Sequence, residues 1–356
     1  MNFNETIFIT GFPGFIAGRL VKRLANPWTE FFLLVQPNFV EKAMIEIGKI
    51  AAETGTPLEN FCILQGDITE DALGMSQEDL HFAQEKTTSI FHLAAVYDLA
   101  VKKEIAYKVN VEGTKNVNSF AKTITNLKRY IYVSTCYVAG KRTGKVLETE
   151  LEHDKGFKNY YEETKYLAEV EVEKLKSEIP LTIVRPAVVV GDSKTGETAK
   201  YDGIYFVINY LKQFPSLFRL VNVGNKQITL NLVPVDFVVE GLYHLSKDQR
   251  AIGKTVALAD PDVLTTAEVC DSIAESLCGK KSVVQMPKAL MKRLLLLPFS
   301  PLISGLPHSG VAYFHHPQDF DTKIGENLLK LYGISCPAFP SYAKNLIEFA
   351  KKHPKL

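Results

Sequence analysis

The sequence predicts an α/β protein with a doubly wound parallel sheet and a smaller, mostly helical C-terminal lobe. Through the first half, short apolar runs alternate with longer segments of helical period, the rhythm of strand-helix units. The runs are almost continuously hydrophobic, as strands covered by helices on both faces are. A glycine turn joins the first run to the first helical segment. At 356 residues the chain exceeds an ordinary domain of roughly 100 to 200 residues, so one large domain with an appended lobe is expected.

The strand candidates are residues 6–10, 31–35, 61–65, 89–93, 129–134, 181–184 and 255–259, with helical period over 14–25, 109–123 and 160–176 between them. After Arg185-Pro186-Ala187-Val188-Val189-Val190-Gly191 the character changes. A polar loop, 192–200, leads into an aromatic segment, 201–218, where a second lobe begins. Residues 230–245 read as a return to the core, and the proline-rich stretch 261–354 as a second insertion. The expected division is 1–192 with 227–260 for the sheet domain, and 193–226 with 261–356 for the lobe.

Lys plus Arg number 41 against 40 Asp plus Glu, a balance that offers no broad field for nucleic acid. The five cysteines form no Cys-x-x-Cys pair, which favours a reduced intracellular chain. The first strand begins almost at Met1 and leaves no room for a signal peptide, so a cytoplasmic location is expected. The oiliest stretch, 294–306, is broken by Pro298 and Pro301 and falls short of the roughly 20 residues that span a bilayer. No transmembrane segment is expected; peripheral membrane contact and a homodimer are both compatible with the sequence. His315-His316 lacks further ligands at metal spacing and reads as a loop pair, so no metal is expected.

In Thr10-Gly11-Phe12-Pro13-Gly14-Phe15-Ile16-Ala17 the turn follows a strand and opens an amphipathic helix, the arrangement a dinucleotide site requires. Gly11 permits the tight turn, Gly14 lets backbone approach a pyrophosphate, and Ala17 or Gly18 allows close helix packing. The helix N-terminus then meets the phosphates with its partial positive charge.

This spacing resembles the Thr-Gly-x-x-Gly-x-x-Gly fingerprint of extended short-chain dehydrogenases/reductases, which have a Rossmann sheet; Ala17 departs from the third glycine. Further matches follow in the family's order. Gly66-Asp67-Ile68 resembles its adenine-contacting segment, and Phe91-His92-Leu93-Ala94-Ala95 the cofactor-lining end of its fourth strand. Asn110-Val111-Glu112-Gly113-Thr114 resembles the helix whose asparagine positions active-site water and lysine. The resemblance implies cofactor contacts at Gly11, Phe12, Gly14, Phe15, Ile16, Gln36, Asp67, Ile68, Leu93, Ala94, Ala95, Pro186 and Ala187.

Hydride transfer to a carbonyl leaves an oxyanion that needs a proton, and a tyrosine supplies one readily only if its pKa, about 10, is lowered. A lysine at i,i+4 does this, because positive charge favours tyrosinate. Three Tyr-x-x-x-Lys pairs occur, Tyr137/Lys141, Tyr161/Lys165 and Tyr243/Lys247, so position must decide. Only Tyr161 and Lys165 open a long helical segment just before a strand, and that segment resembles the family's catalytic helix. Upstream, Tyr132-Val133-Ser134-Thr135-Cys136-Tyr137-Val138-Ala139-Gly140 resembles the strand end that presents the catalytic Ser or Thr. Registering on Gly140 selects Thr135, with Ser134 as the fallback. The implied catalytic set is Thr135, Tyr161, Lys165 and Asn110, with the first three also touching the cofactor.

Leu181-Thr182-Ile183-Val184-Arg185-Pro186, Val190-Gly191-Asp192-Ser193-Lys194-Thr195-Gly196-Glu197 and Asn231-Leu232-Val233-Pro234-Val235-Asp236-Phe237-Val238 resemble a narrower branch, the thioester reductase domains and fatty acyl-CoA reductases. That resemblance implies NAD(P)H-dependent reduction of an acyl thioester, or of a hydrophobic aldehyde or ketone. A sugar-nucleotide epimerase or dehydratase with the same triad is the enzymatic alternative, and a non-catalytic dinucleotide-sensing scaffold the other. The lobe's aromatic residues, Tyr201, Tyr205, Phe206, Tyr210, Phe214 and Phe218, and its 290–306 stretch suit an acyl chain, although such a stripe is more often plain core. Gln36 stands where NAD enzymes carry an acidic residue and the thioester reductases an arginine. NADP(H) is favoured, with Arg19 or Lys42 supplying the charge, and NAD(H) is the alternative.

Overall fold

The computed structural model describes residues 3–98, 100–213, 221–222, 224–285, 313 and 316–354. The chain runs β1 (Glu5–Thr10), α1 (Phe15–Leu24), β2 (Thr29–Val35), α2 (Val40–Thr54), β3 (Phe61–Gln65), α3 (Gln77–Lys86) and β4 (Ser89–His92). It continues through α4 (Lys103–Ala106), α5 (Gly113–Thr123), β5 (Arg129–Val133), β6 (Gly144–Val146), α6 (Tyr160–Glu173), β7 (Leu181–Pro186), β8 (Val188–Val190), α7 (Ile204–Gln213) and β9 (Val221–Asn222). Then come β10 (Leu232–Pro234), α8 (Val235–Lys247), β11 (Thr255–Leu258), α9 (Thr266–Cys278), β12 (Val284–Gln285), β13 (Gln318–Phe320), α10 (Lys323–Leu329) and α11 (Phe339–Lys352).

Seven strands form one sheet in the order β3-β2-β1-β4-β5-β7-β11, every neighbouring pair parallel. This is a Rossmann sheet. Its order reverses between β1 and β4, and the crevice beyond the carboxyl ends of those strands is where such sheets receive ligands. The unbroken hydrophobicity of the strands has a direct cause. Successive side chains point to opposite faces, and both faces are covered. Ile7 and Ile9 pack with Leu20 and Val21 of α1, Ile47 of α2 and Leu242 of α8. Phe8 packs on the other face with Val117 and Phe120 of α5 and Val172 of α6.

The helix expected from residue 109 starts earlier. α4 runs into a π-helical stretch, Tyr107–Glu112, before α5. Leu93, Ser134 and Ala259, expected as final strand residues, lie just past the strand ends. A third apolar cluster joins Ile204 and Ile208 of α7, Ile273 of α9 and Phe339 and Leu346 of α11. The stretch after residue 260 does not stay together: β13 pairs in parallel with β6, and Leu328 and Leu329 of α10 join the sheet domain's core.

Candidate active site

β1 delivers the chain into the turn and α1 carries it away, with Gly14 as an extended N-cap that offers no side-chain partner. The first N–H groups of α1 therefore lack a capping side chain, and no acidic residue lies in its first turn. Gly11 has φ +90°, and a Cβ there would come within 2.8 Å of Ala94 N. A Cβ on Gly14 would lie 2.6 Å from Gly11 O, which accepts the Gly14 N–H at 2.8 Å. At both positions a Cβ would strike backbone, so glycine alone permits this tight turn, and the uncapped N–H groups of α1 behind it suit a pyrophosphate. The Ala17 methyl is accommodated at 2% exposure.

The turn forms one end of a cleft of about 920 Å³. Gly11, Phe12, Gly14, Phe15 and Ile16 line it from the turn, and Gln36, Asp67 and Ile68 from the ends of β2 and β3. Leu93, Ala94 and Ala95 line it after β4, and Pro186 and Ala187 after β7; Thr135, Tyr161 and Lys165 face the same space. Beyond them Val188, Val189, Ile204, Phe206, Leu230 and Leu232 give the wall an apolar stretch, interrupted by Thr198, Lys200 and Asp202.

At the Gln36 end, Nε2 donates to Asp67 Oδ2 at 2.7 Å, and Asp67 Oδ1 accepts the Thr69 N–H at 2.8 Å. Arg19 does not supply charge here. It pairs with Asp192 at 3.2 Å and Glu197 at 2.7 Å. Lys42 lines the cleft beside Gln36, and among the described residues it has no carboxylate partner within 4.0 Å.

Asn110 belongs to the π-helical stretch and is not itself among the cleft-lining residues. Its Oδ1 accepts the Val96 N–H at 2.8 Å and its Nδ2 donates to Thr164 Oγ1 at 3.0 Å, tying the loop after β4 to α6. A chain of contacts leads from there to the turn. Thr114 Oγ1 donates to Asn110 O at 2.6 Å, His92 Nε2 lies 3.1 Å from Thr114 Oγ1, and His92 Nδ1 lies 2.7 Å from Thr10 Oγ1. Burial, aided by the Lys165 charge, holds His92 neutral with its pKa down at about 3.

Thr135, the N-cap of a short 3₁₀ turn, accepts the Tyr137 N–H at 3.2 Å and donates to Pro186 O at 3.4 Å. Ser134 instead donates to the Glu169 carboxylate, which also accepts from Arg185 Nε at 2.8 Å and Nη2 at 2.5 Å. That network engages the Ser134 hydroxyl, although both residues line the cleft. Tyr161 and Lys165 are the one Tyr-x-x-x-Lys pair with both members in the cleft. Tyr137 lies in the 3₁₀ turn with Lys141 exposed, and Lys247 pairs with Glu5.

Lys165 lines the cleft with Tyr161, one helical turn further along α6. Its Nζ donates to Tyr132 Oη at 3.0 Å and Val133 O at 2.9 Å, and burial pulls its pKa down to about 8 against the opposing charge of Glu169. Burial raises the Tyr161 hydroxyl above its ordinary value, with the neighbouring Thr135 hydroxyl opposing it. Desolvation thus outweighs the polar contacts that favour tyrosinate.

Sequence reasoning passed over several groups here. Tyr97 meets Tyr161 edge-on at 5.1 Å, and Lys200 Nζ lies 5.5 Å from the Tyr97 ring. Tyr137 and Tyr313 also line the cleft. No spacing rule connects them; the aromatic just beyond Ala94-Ala95 was the one available signal. Of the lobe's aromatic stripe, Phe206 lines the cleft, whereas Tyr205 is core, accepting the Gly191 N–H at 3.0 Å. Tyr201 packs at a tilt against Tyr205, ring centroids 5.2 Å apart. Phe214, Phe218, His315, residues 290–306 and the Tyr210 side chain lie outside the described residues.

Residues 9–242 match the model of the male sterility protein family of NAD-binding domains. The chain belongs to that family. It thereby falls in the thioester reductase branch of the extended short-chain dehydrogenases/reductases. This male sterility family member is 26% identical over 275 residues to the fatty acyl-CoA reductase wat of Drosophila melanogaster, covering 67% of this chain and 53% of that one. It is 27% identical over 276 residues to the non-canonical nonribosomal peptide synthetase cpsA of Aspergillus campestris, covering 71% of this chain and 25% of the synthetase. The chain thus spans about half or less of the length of these relatives.

Among solved structures, the terminal R domain from the myxalamid PKS-NRPS biosynthetic pathway superposes with a TM-score of 0.83 at 22% identity, covering 99% of this chain and 92% of that one. The UDP-glucuronic acid 4-epimerase of Bacillus cereus superposes at 0.67 and 18% identity, covering 98% and 100%. Both likenesses concern the fold. Among the described residues, no helix is long and apolar enough to cross a membrane, and no group of three or more His, Cys, Asp or Glu could hold a metal ion.

Proposed function

We propose that this protein is an NAD(P)H-dependent reductase that delivers hydride to an acyl thioester or hydrophobic aldehyde. One observation carries the reading: the glycine cradle, the Thr135/Tyr161/Lys165 group and an apolar far wall share a single cleft. Its fatty acyl-CoA reductase relative supports the substrate class.

Gly11, Gly14 and the N-terminus of α1 hold the pyrophosphate, and Lys165 holds the nicotinamide ribose. When bound, the nicotinamide supplies the hydride. Thr135 hydrogen-bonds the substrate oxygen, and Tyr161 donates a proton to it as negative charge develops. For a thioester, one hydride and one proton give aldehyde and free thiol as the carbon–sulfur bond breaks. The walls built from β8, α7 and β10 take the acyl chain, so the substrate lobe centres on α7, α9 and α11. NADP(H) is the preferred cofactor, because Gln36 takes the place of the acidic residue of NAD enzymes and engages the neighbouring Asp67 carboxylate, while Lys42 lines the same cleft. A cytoplasmic setting and a homodimeric assembly go with this reading as proposals.

Purified protein given NADPH or NADH with a panel of acyl-CoAs, long-chain aldehydes and UDP-sugars tests it. Net cofactor oxidation with a thioester or aldehyde is expected; conversion of a sugar without net oxidation would point to epimerase chemistry instead. Tyr161→Phe should abolish turnover and leave cofactor affinity intact, and retained turnover refutes the proton-donor role.

A further inference from the structure

Behind the proton-donating group lies a buried polar cluster that hydride chemistry leaves unused. The Lys158 and Glu162 side chains are 5% and 0% exposed, with Nζ 3.2 Å from Glu162 Oε1. A buried ion pair is costly unless its remaining hydrogen-bonding capacity is met, and here it is met. Glu162 Oε2 accepts the Lys158 N–H at 2.9 Å, Glu162 Oε1 accepts the Tyr313 hydroxyl at 2.7 Å, and Lys158 Nζ donates to Gly140 O at 2.5 Å. Asn159, the N-cap of α6, accepts the Glu162 N–H at 2.9 Å and donates through Nδ2 to Tyr313 Oη at 2.8 Å. The Tyr313 hydroxyl therefore bridges the cap and the first turn of α6.

Three distant segments meet in this cluster. The loop that carries Thr135 ends at Gly140, whose φ of +58° and close approach to Gly156 fix the carbonyl that Lys158 grips. The first turn of α6 carries Tyr161 immediately before Glu162. Tyr313 comes from the C-terminal stretch, packs edge-on to Tyr137 at 5.1 Å, and lines the cleft with it.

We propose that Tyr313 is a positioning residue that sets the first turn of α6, and with it the Tyr161 hydroxyl, against Thr135 and the substrate carbonyl. The proposal rests on Tyr161 being the proton donor. A displacement of about 1 Å in such a group costs up to about a hundredfold in rate, so loss of one of its hydrogen-bonded supports is expected to cost about tenfold.

The test measures kcat with an acyl-CoA or aldehyde, NADPH affinity by fluorescence titration, and Tm. Tyr313→Phe should lower kcat about tenfold with NADPH affinity unchanged. Asn159→Ser, which keeps a cap but loses the amide donor to Tyr313, should move kcat in the same direction. Thr265→Ala removes the remote cap of α9 and controls for stability, lowering Tm with kcat unchanged. Wild-type kcat in both Tyr313→Phe and Asn159→Ser, or a loss of kcat and NADPH affinity together, overturns the proposal. A fully active Tyr161→Phe overturns the proton-donor reading and this proposal with it. An inactive Tyr161→Phe beside a fully active Tyr313→Phe overturns this proposal alone.

Discussion

Glu169→Gln perturbs both the stability of the site's framework and the charge on Lys165. The carboxylate is fully buried, takes two hydrogen bonds from the Arg185 guanidinium and one from Ser134, and lies one helical turn beyond Lys165. Arg185 is itself 5% exposed and donates through Nη1 to Glu148 O at 3.2 Å and Glu150 O at 3.0 Å. Breaking a buried pair from one side costs about 3–5 kcal/mol, because the other charge is left uncompensated. Glutamine keeps one carbonyl oxygen for Arg185, which places the loss near the lower end, about 3 kcal/mol. At roughly 2 °C per kcal/mol for a large chain, Tm should fall by about 6 °C. The second readout is pH. The Glu169 charge favours the Lys165 ammonium, so removing it lowers a pKa that burial already holds at about 8. NADPH affinity, followed by fluorescence over a pH series, should then fall away on the alkaline side at lower pH than in the wild type. A Tm within about 1 °C of wild type, or an alkaline limb that stays in place or moves upward, would refute the argument.

Other perturbations probe the remaining parts. Lys42→Ala should weaken NADPH about tenfold with little effect on NADH, a loss of about 1.4 kcal/mol, and Gln36→Arg should shift the ratio towards NADPH. Unchanged Kd ratios in both would place the adenosine end elsewhere. Gly11→Ala forces an alanine to φ +90° with its Cβ 2.8 Å from Ala94 N. The left-handed strain alone is worth about 1–2 kcal/mol, so both Tm and cofactor affinity should drop, and a wild-type profile would contradict the cradle. Glu148 accepts the N–H groups of Ala257 at 2.8 Å, Ile324 at 2.6 Å and Gly325 at 3.1 Å, clamping α10 to β11. Glu148→Ala strands these donors at about 1–3 kcal/mol each before any relaxation, and thermal unfolding should register it. Burial raises the Glu148 carboxyl from 4.5 to about 7, so the folded state binds its proton more tightly and stability should decline as pH climbs between those values. That slope should vanish in the alanine variant.

The strands were legible because each is buried on both faces, which leaves near-continuous apolar runs such as Phe31-Phe32-Leu33-Leu34-Val35. The turn was legible because Gly11 and Gly14 occupy positions where a Cβ has no room. That Asn110 commits its amide to Val96 and Thr164 was not legible, because those partners lie 14 and 54 residues away. Arg19 was credited with a phosphate because nothing local shows that Asp192 and Glu197, over 170 residues away, would take it. Tyr313 escaped notice for the same reason: it meets Asn159 and Glu162 across 154 and 151 residues.

From the sequence alone came the order of strands and helices, the strand–turn–helix that cradles a dinucleotide, and the short set of hydroxyls and lysines able to serve it. These are local properties, set by side-chain period and by the conformations glycine allows. The fold alone decided that Ser134 commits its hydroxyl to Glu169, that Arg19 turns to Asp192 and Glu197, and that Lys165 turns to Tyr132 and Val133. Those choices depend on which distant carboxylate, carbonyl or ring arrives beside each group, and on how much water its burial removes.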